Sequence, residues 1–256
     1  MKVSDYIVKF LEKKGVSDVF MISGGLAMHL NDSFGKSQKI KYYCNFHEQA
    51  AAIAAEGYAK VTGKIAVCIV TAGPGSSNTI TGVVGQWQDS VPALYISGQV
   101  RTEIMAPEDS KLRQYGEQEL NIVEMVKPIT KYAISIKDPL TIRYHLEKAM
   151  YLATSGRPGP VWIEIPLDIQ AFVVDEKKLK GFNPSEILKA NDPQILKKNV
   201  KKTIELIKKS KRPVILAGSG IRVAGAYNDF LKLVKQLQIP VLTASCANDL
   251  MYASNP

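Results

Sequence analysis

The chain has 256 residues, 46% apolar and 22% charged, which is enough for one large or two medium globular domains. No apolar run approaches the roughly 18 residues that span a bilayer, and Met-Lys-Val-Ser-Asp-Tyr at the N-terminus does not read as a secretory signal, so no membrane partner and a cytoplasmic location are expected. The net charge of +9 is local: residues 177–212 hold twelve Lys/Arg against three Asp/Glu, and the remainder is balanced. These lysines lack the repeated aromatic residues that stack bases, so the run reads as a solvated linker and helix face and no nucleic-acid partner is expected. The three cysteines, Cys44, Cys68 and Cys246, are far apart and form no Cys-x-x-Cys. They read as buried free thiols.

Taken in order, Ser4-Asp5 can cap a first helix that presents Ile7, Phe10 and Leu11 on one face and stops at Gly15. Val19–Ile22 is an apolar run of parallel-strand length. Ser23-Gly24-Gly25 then turns the chain into a short helix from Leu26 to about Phe34. A second strand covers Lys39–Cys44. It leads to an alanine-rich helix over 47–61, small enough on all sides to be deeply buried. A third strand, Ile65–Val70, is followed by Thr71-Ala-Gly73-Pro74-Gly75-Ser76-Ser77-Asn78, a glycine-rich loop that opens a helix. Strands follow at Ala93–Ser97, Ile129–Ile134 and Val161–Ile165, with an irregular polar stretch at 98–119 and a helix over Pro139–Ala153. Strands alternating with helices predict an α/β fold: a doubly wound, mostly parallel sheet with helices on both faces.

After Pro166 the character changes. We expect one domain over 1–170, a linker over 171–191, and an incomplete second α/β domain over 192–256. In that second part Asp192-Pro193 starts a helix with Leu196, Val200, Ile204 and Ile207 as its apolar stripe. Strands at Val214–Ala217 and Pro240–Thr243 flank a Gly218-Ser-Gly220 turn and a helix over 226–237.

Glu48 is the residue that most invites a chemical reading. It stands in the first turn of the alanine-rich helix, just beyond a strand's carboxyl end, where open α/β sheets bind ligands. A carboxylate at the mouth of a buried helix is a candidate proton carrier with a raised pKa. The same carboxylate would equally complement the positive helix N-terminus, and position alone leaves both readings open. The loop Thr71–Asn78 is neither a P-loop nor Gly-x-Gly-x-x-Gly; it can cradle an anion or simply pack tightly at a buried turn. His29 and His47 have no metal partner at usable spacing, no metal ligand is expected from this chain, and no Ser-His-Asp arrangement is present.

Several stretches together resemble the thiamine-diphosphate enzymes, and among them the acetolactate synthase-like group. They are Phe46-His-Glu48-Gln-Ala-Ala-Ala with Ala55-Glu-Gly-Tyr-Ala-Lys-Val-Thr-Gly63, Thr71–Asn78, Asp89-Ser-Val-Pro92 with Ser97-Gly-Gln99, Ile122-Val-Glu124 with Ile129-Thr-Lys131, and Ser155-Gly-Arg-Pro-Gly-Pro160 with Glu164-Ile-Pro166. They occur in the family's order. The resemblance implies that 1–170 is a pyrimidine-binding domain and that 192–256 begins the central domain, which accommodates FAD in some members.

It further implies that Glu48 is the activating glutamate. In the family this residue hydrogen-bonds N1′ of the cofactor's aminopyrimidine and favours the imino form that takes the thiazolium C2 proton, so that a 2-keto acid can be attacked and decarboxylated. Gly24, Gly25, Pro74 and Asn78 match loops that line the pyrimidine and the subunit interface. Gln118 matches a glutamine near the reacting centre, and His29 would follow the Gly-Gly turn and could face substrate. A homo-oligomer is implied.

Two departures stand out. The stretch between Gln99 and Gln118 is longer and more polar than in typical acetolactate synthases, and Ser23 stands where those have proline, which leaves the keto-acid specificity open. The Gly-Asp-Gly…Asn segment that holds Mg²⁺ and the diphosphate in this family does not occur. The diphosphate-binding domain or subunit is therefore expected from another chain or from a missing C-terminal part, and the 256 residues alone are expected not to turn over. The alternatives are a non-catalytic interaction subunit that keeps the dimer surface, and an ordinary nucleotide-binding α/β protein. The last would need an acidic ribose-binding residue after a second strand.

Overall fold

The computed structural model describes residues 1–107, 110–187 and 193–252. The chain forms two compact units, 1–183 and 184–256.

In the first unit, β1 (Asp18–Met21), β2 (Lys41–Cys44), β3 (Ala66–Val70), β4 (Ala93–Gln99), β5 (Tyr132–Ser135) and β6 (Pro160–Pro166) form one sheet of order β2-β1-β3-β4-β6-β5. Every pairing is parallel. The helices are α1 (Val3–Lys13), α2 (Met28–Lys36), α3 (Glu48–Thr62), α4 (Pro74–Ser77), α5 (Ile80–Asp89), α6 (Ile122–Val126), α7 (Ile142–Thr154) and α8 (Leu167–Ala171). The doubly wound α/β architecture is as the alternation of elements implies.

The period-two alternation of the strands sorts the core into two layers. Val67 and Ile69 of β3, Leu94 and Ile96 of β4, and Val161 and Ile163 of β6 share one layer with α1, α2 and α7. Ala66, Cys68 and Val70, then Tyr95, then Trp162 share the other with α3 and α6. The rings of Tyr95 and Trp162 stack at 5.0 Å, and the indole N–H donates to Ser97 Oγ.

Three local expectations are corrected. Helix α1 starts a turn early, with Lys2 as N-cap and no side-chain cap. Ser4 and Asp5 lie inside it and instead hold Ser33 of α2, whose hydroxyl donates to Ser4 Oγ and Asp5 Oδ1. Helix α3 is buried on one face only: Ala51, Ala52, Ala55 and Ala59 are inside, whereas Ile53 and Val61 are exposed, because α3 packs on β1, β3 and α5 through that one face. Of the cysteines only Cys68 is buried; Cys44 lies on the exposed edge strand, and all three are free thiols.

The first unit continues past α8. Lys2 bridges Val173 in antiparallel fashion, Val174 N–H donates to Met1 O, and Val174 and Leu179 are buried in the core.

The second unit contains α9 (Pro193–Lys209), β7 (Ile215–Ala217), α10 (Gly220–Val223), α11 (Tyr227–Leu237) and β8 (Val241–Thr243). β7 and β8 pair in parallel around a small core of Ala217, Phe230, Ala247 and Leu250. Helix α9 forms as the periodicity predicts, yet no side chain on it is buried, and Leu196 is 62% exposed. Its expected cap, Asp192, lies outside the described residues, as do the last residues of the expected linker.

Candidate active site

The order of the sheet locates the candidate site. β2 lies on one side of β1 and β3 on the other, so the winding reverses between β1 and β3. A crevice at such a reversal, beyond the carboxyl ends of the strands, is where open α/β sheets take ligands. The loops leaving Met21 and Val70 meet there. A Cβ on Gly24 would lie 2.4 Å from Thr71 Cβ, so only glycine allows this approach. Gly24 O accepts from Asn31 Nδ2 and from Ala27 N–H. Gly25 is exposed, with open space where a side chain would be.

Glu48 is the first residue of α3, behind His47, whose Nδ1 caps the helix by accepting from Gln49 N–H at 3.1 Å. A carboxylate in a helix's first turn is favourably placed for negative charge. Its Oε2 accepts from Asn78 Nδ2 at 2.9 Å. Its Oε1 stands 3.3 Å from where a Cβ on Gly75 would be.

The two residues meet because their helices touch one turn further along. A Cβ on Gly82 of α5 would be 2.5 Å from Ala52 Cβ of α3. Gln86 Nε2 also donates to Ala52 O at 3.1 Å. The small residues of α3 therefore bring the two helix starts together. Glu48 is half-buried and open on one side, beside a fully exposed Phe46. It also lies close enough to β3 to add to the burial that keeps the Cys68 thiol protonated.

The glycine loop itself is closely bonded. Pro74 opens α4 in a position that needs no N–H, and its carbonyl accepts from Asn78 N–H at 3.0 Å. Ser77 N–H and Ser76 Oγ both donate to Gly73 O. Gly73 has φ +59 and ψ −126, and Gln118 O lies 2.2 Å from where its Cβ would be. Gln118, itself left-handed at φ +58, therefore reaches the same loop from the opposite side. Six sequence-predicted residues sort as follows: Glu48, Pro74 and Asn78 form one bonded group, Gly24 joins through Thr71, Gln118 joins through Gly73, and Gly25, next to Gly24 in the chain, is exposed. His29 is the second residue of α2 and half-buried, and no hydrogen bond ties it to these loops among the described residues. No cluster of three metal-ligating side chains occurs among the described residues.

A match to the family model "Thiamine pyrophosphate enzyme, N-terminal TPP binding domain" covers residues 1–125, and one to "Thiamine pyrophosphate enzyme, central domain" covers 200–256. The chain belongs to the thiamine pyrophosphate enzymes. This member is 36% identical over 251 residues to a probable acetolactate synthase large subunit of Methanocaldococcus jannaschii, covering 95% of this chain and 40% of that protein. It is likewise 36% identical over 245 residues to the acetolactate synthase large subunit of Lactococcus lactis, covering 94% of this chain and 40% of the relative. The tobacco chloroplastic acetolactate synthase 1 matches at 36% over 245 residues, 94% of this chain and 35% of the relative. The chain thus spans about 40% of the length of the bacterial and archaeal relatives it matches.

Residues that the sequence offered only as parts of the resembling stretches also lie around these loops. Gly98, next to last in β4, has Leu26 O 2.0 Å from its absent Cβ, which seats the Gly24–Ala27 turn. Gln99 Nε2 donates to both Leu120 O and Glu164 Oε1, at 2.8 and 2.9 Å. Glu164 is 2% exposed, and burial pushes its carboxyl up to about 7. The Gln99 amide and the Ser135 hydroxyl, the latter without full hydrogen-bond geometry, oppose that rise, and the Glu119 carboxylate adds to it. In the sequence Glu164 shows as a carboxylate among six apolar or proline neighbours in a central strand and as part of the Glu164-Ile-Pro166 stretch that carries the resemblance.

Proposed function

We propose that this chain supplies the aminopyrimidine-facing half of a thiamine-diphosphate site in an acetolactate synthase-like 2-keto-acid carboligase or decarboxylase. The observation that carries the reading is the Glu48 carboxylate, held by Asn78 on Oε2 with Oε1 3.3 Å from where a Cβ on Gly75 would be. A carboxylate tied at one oxygen and free at the other can hold a proton for a ring nitrogen without swinging away. Glycine at position 75 keeps the loop close to Thr71 and to the carboxylate, since a Cβ there would lie 2.6 Å from Thr71 Cγ2 and 3.3 Å from Oε1.

When bound, thiamine diphosphate supplies the electron sink that 2-keto-acid decarboxylation requires. Glu48 holds or moves the proton at Oε1, Asn78 fixes the carboxylate's orientation, and Pro74 and Gly24 shape the wall. Gln118 stands by the same loop, where it can orient a substrate carboxylate or carbonyl. Mg²⁺ and the diphosphate are held, in this reading, by residues other than these, in another chain or a further segment. The exposed surface around Phe46 and Ile53 suits contact with that second half in a homo-oligomer. The relatives' names support acetolactate formation from 2-keto acids as the overall reaction. FAD binding by the central region is a property of some members and is carried here only by that analogy.

The test joins or mixes this chain with a diphosphate-binding half and measures deuterium exchange at the cofactor's thiazolium C2. Glu48→Gln should slow exchange by about 10²- to 10⁴-fold, with cofactor affinity changed far less. Equal exchange rates in the two proteins would overturn the reading. The chain by itself, given Mg²⁺, thiamine diphosphate and pyruvate, should release no carbon dioxide above background.

A further inference from the structure

The stretch between β4 and α6 carries Gln118, and one carboxylate gathers it. Glu119 Oε1 accepts from Ala106 N–H at 2.6 Å, and Oε2 accepts from Tyr115 N–H at 2.8 Å and Gly116 N–H at 3.0 Å. Glu119 N–H returns to Gly116 O, which also accepts from Gln114 Nε2. Gly116 is buried with Ile104 O and Val100 Cγ1 each 2.9 Å from its absent Cβ, so the backbone at this hub cannot give. Gln99 pins the next residue through Leu120 O. Between these two anchors, Gln118 adopts a left-handed conformation that is unfavourable for a non-glycine residue and presses its carbonyl against Gly73.

The geometry points to Glu119 as a positioning residue: by collecting three backbone N–H groups it holds the strained turn at Gln118, and through the Gln118–Gly73 contact it fixes the glycine loop that carries Asn78. Its value to catalysis rests on the function proposed above, but the coupling itself does not. A carboxylate is suited to the task because two oxygens with four lone-pair sites can serve three donors at once, which a single amide oxygen cannot.

The experiment is amide hydrogen exchange on the full chain without cofactor, read at Gly75, Ser77 and Asn78, whose N–H groups bond within the glycine loop. In Glu119→Ala these three amides should exchange about tenfold faster, the effect of one lost hydrogen bond's worth of local stability. Glu119→Gln should fall between. Adding Gln118→Gly to Glu119→Ala should bring them back to within about twofold of the parent, because glycine takes the left-handed turn without strain. Faster exchange confined to Ala106, Tyr115 and Gly116, with the glycine loop unchanged, would overturn the proposal, as would failure of Gln118→Gly to rescue. If Glu119→Ala does not fold, Glu119→Gln is read by the same criteria. A positive result in a chain that binds no thiamine diphosphate would retain the coupling and remove only the cofactor reading.

Discussion

The side-chain amide of Asn78 reaches Glu48 across 30 residues because Ala52 and Gly82 meet one turn behind them. Adding a methyl to Gly82 places a Cβ 2.5 Å from Ala52 Cβ and 3.1 Å from its carbonyl carbon, so the helices must part. Gly82→Ala should destabilise the chain by roughly 1–3 kcal/mol and shift the Asn78 side-chain amide resonances as the bond to Glu48 loosens. Gly57→Ala lies on the same α3 with open space at its Cβ. It should stabilise by up to about 1 kcal/mol and leave Asn78 unmoved. Thermal melts and an amide spectrum of both variants check the pair.

Adjacent glycines give a second contrast. Gly24→Ala would drive a methyl into Thr71, between two loops that leave neighbouring strands. Neither loop can yield easily, since Gly24 O is bonded on one side and Gly73 O on the other. A loss of roughly 1–3 kcal/mol is expected. Gly25→Ala meets nothing within 4 Å and should stay within about 0.5 kcal/mol of the parent. Equal denaturation midpoints for the two variants would contradict the packing described at the strand ends.

This contrast marks what the sequence could and could not convey. Strand and helix periodicities gave the six-strand sheet and its two layers, because alternation and apolar runs are local signals. The glycine loop and Glu48 were also legible, as a strand-to-helix turn and a first-turn carboxylate. Gly24 and Gly25 are the same letter, however, and only the approach of Thr71, some 50 residues away, separates them. Glu119 shows no pattern in the chain, since its donors at 106, 115 and 116 are set by how an irregular stretch folds back. The alanine run allowed a deeply buried helix, but burial depends on what covers α3, and only the face on β1, β3 and α5 is covered. The stripe of α9 likewise forecast a helix without saying what would cover it.

Glu164 should leave a pH signature in stability. Its carboxyl stays protonated in the fold up to about 7, against 4.5 for an ordinary glutamate. Below pH 4.5 folded and unfolded chains both hold the proton and there is no cost. Between 4.5 and 7 the unfolded chain releases a proton that the folded chain keeps, so stability falls as pH rises, and the cost is complete above 7. That window corresponds to roughly 3 kcal/mol. Glu164→Gln removes the titration while keeping an acceptor for Gln99. Its melting temperature relative to the parent should climb from pH 4.5 to 7 and then level off. A difference independent of pH would mean that Glu164 ionises normally beneath Leu120.

The segment after α8 belongs mechanically to the first unit, and its removal should show it. Val3 N–H donates to Phe172 O, Val174 N–H to Met1 O, and Phe182 N–H to Glu147 Oε2. Glu176, held near a pKa of about 2 by hydrogen bonds from Lys13 and Lys9, ties the segment to α1. That ion pair is exposed and contributes little. The weight is carried by Leu179, 4% exposed among the α1 and α7 side chains of the core. Leu179→Ala should cost about 2–5 kcal/mol, a drop on the order of 5–15 °C in melting temperature for a unit this size. Glu176→Gln should lower it by no more than about 2 °C. A chain ending at Asn183 should keep a cooperative melt, whereas one ending at Gln170 exposes Val3 and Tyr6 and should melt lower or not fold. Indistinguishable melts of the two truncations would show that residues 171–183 are a linker without structural weight.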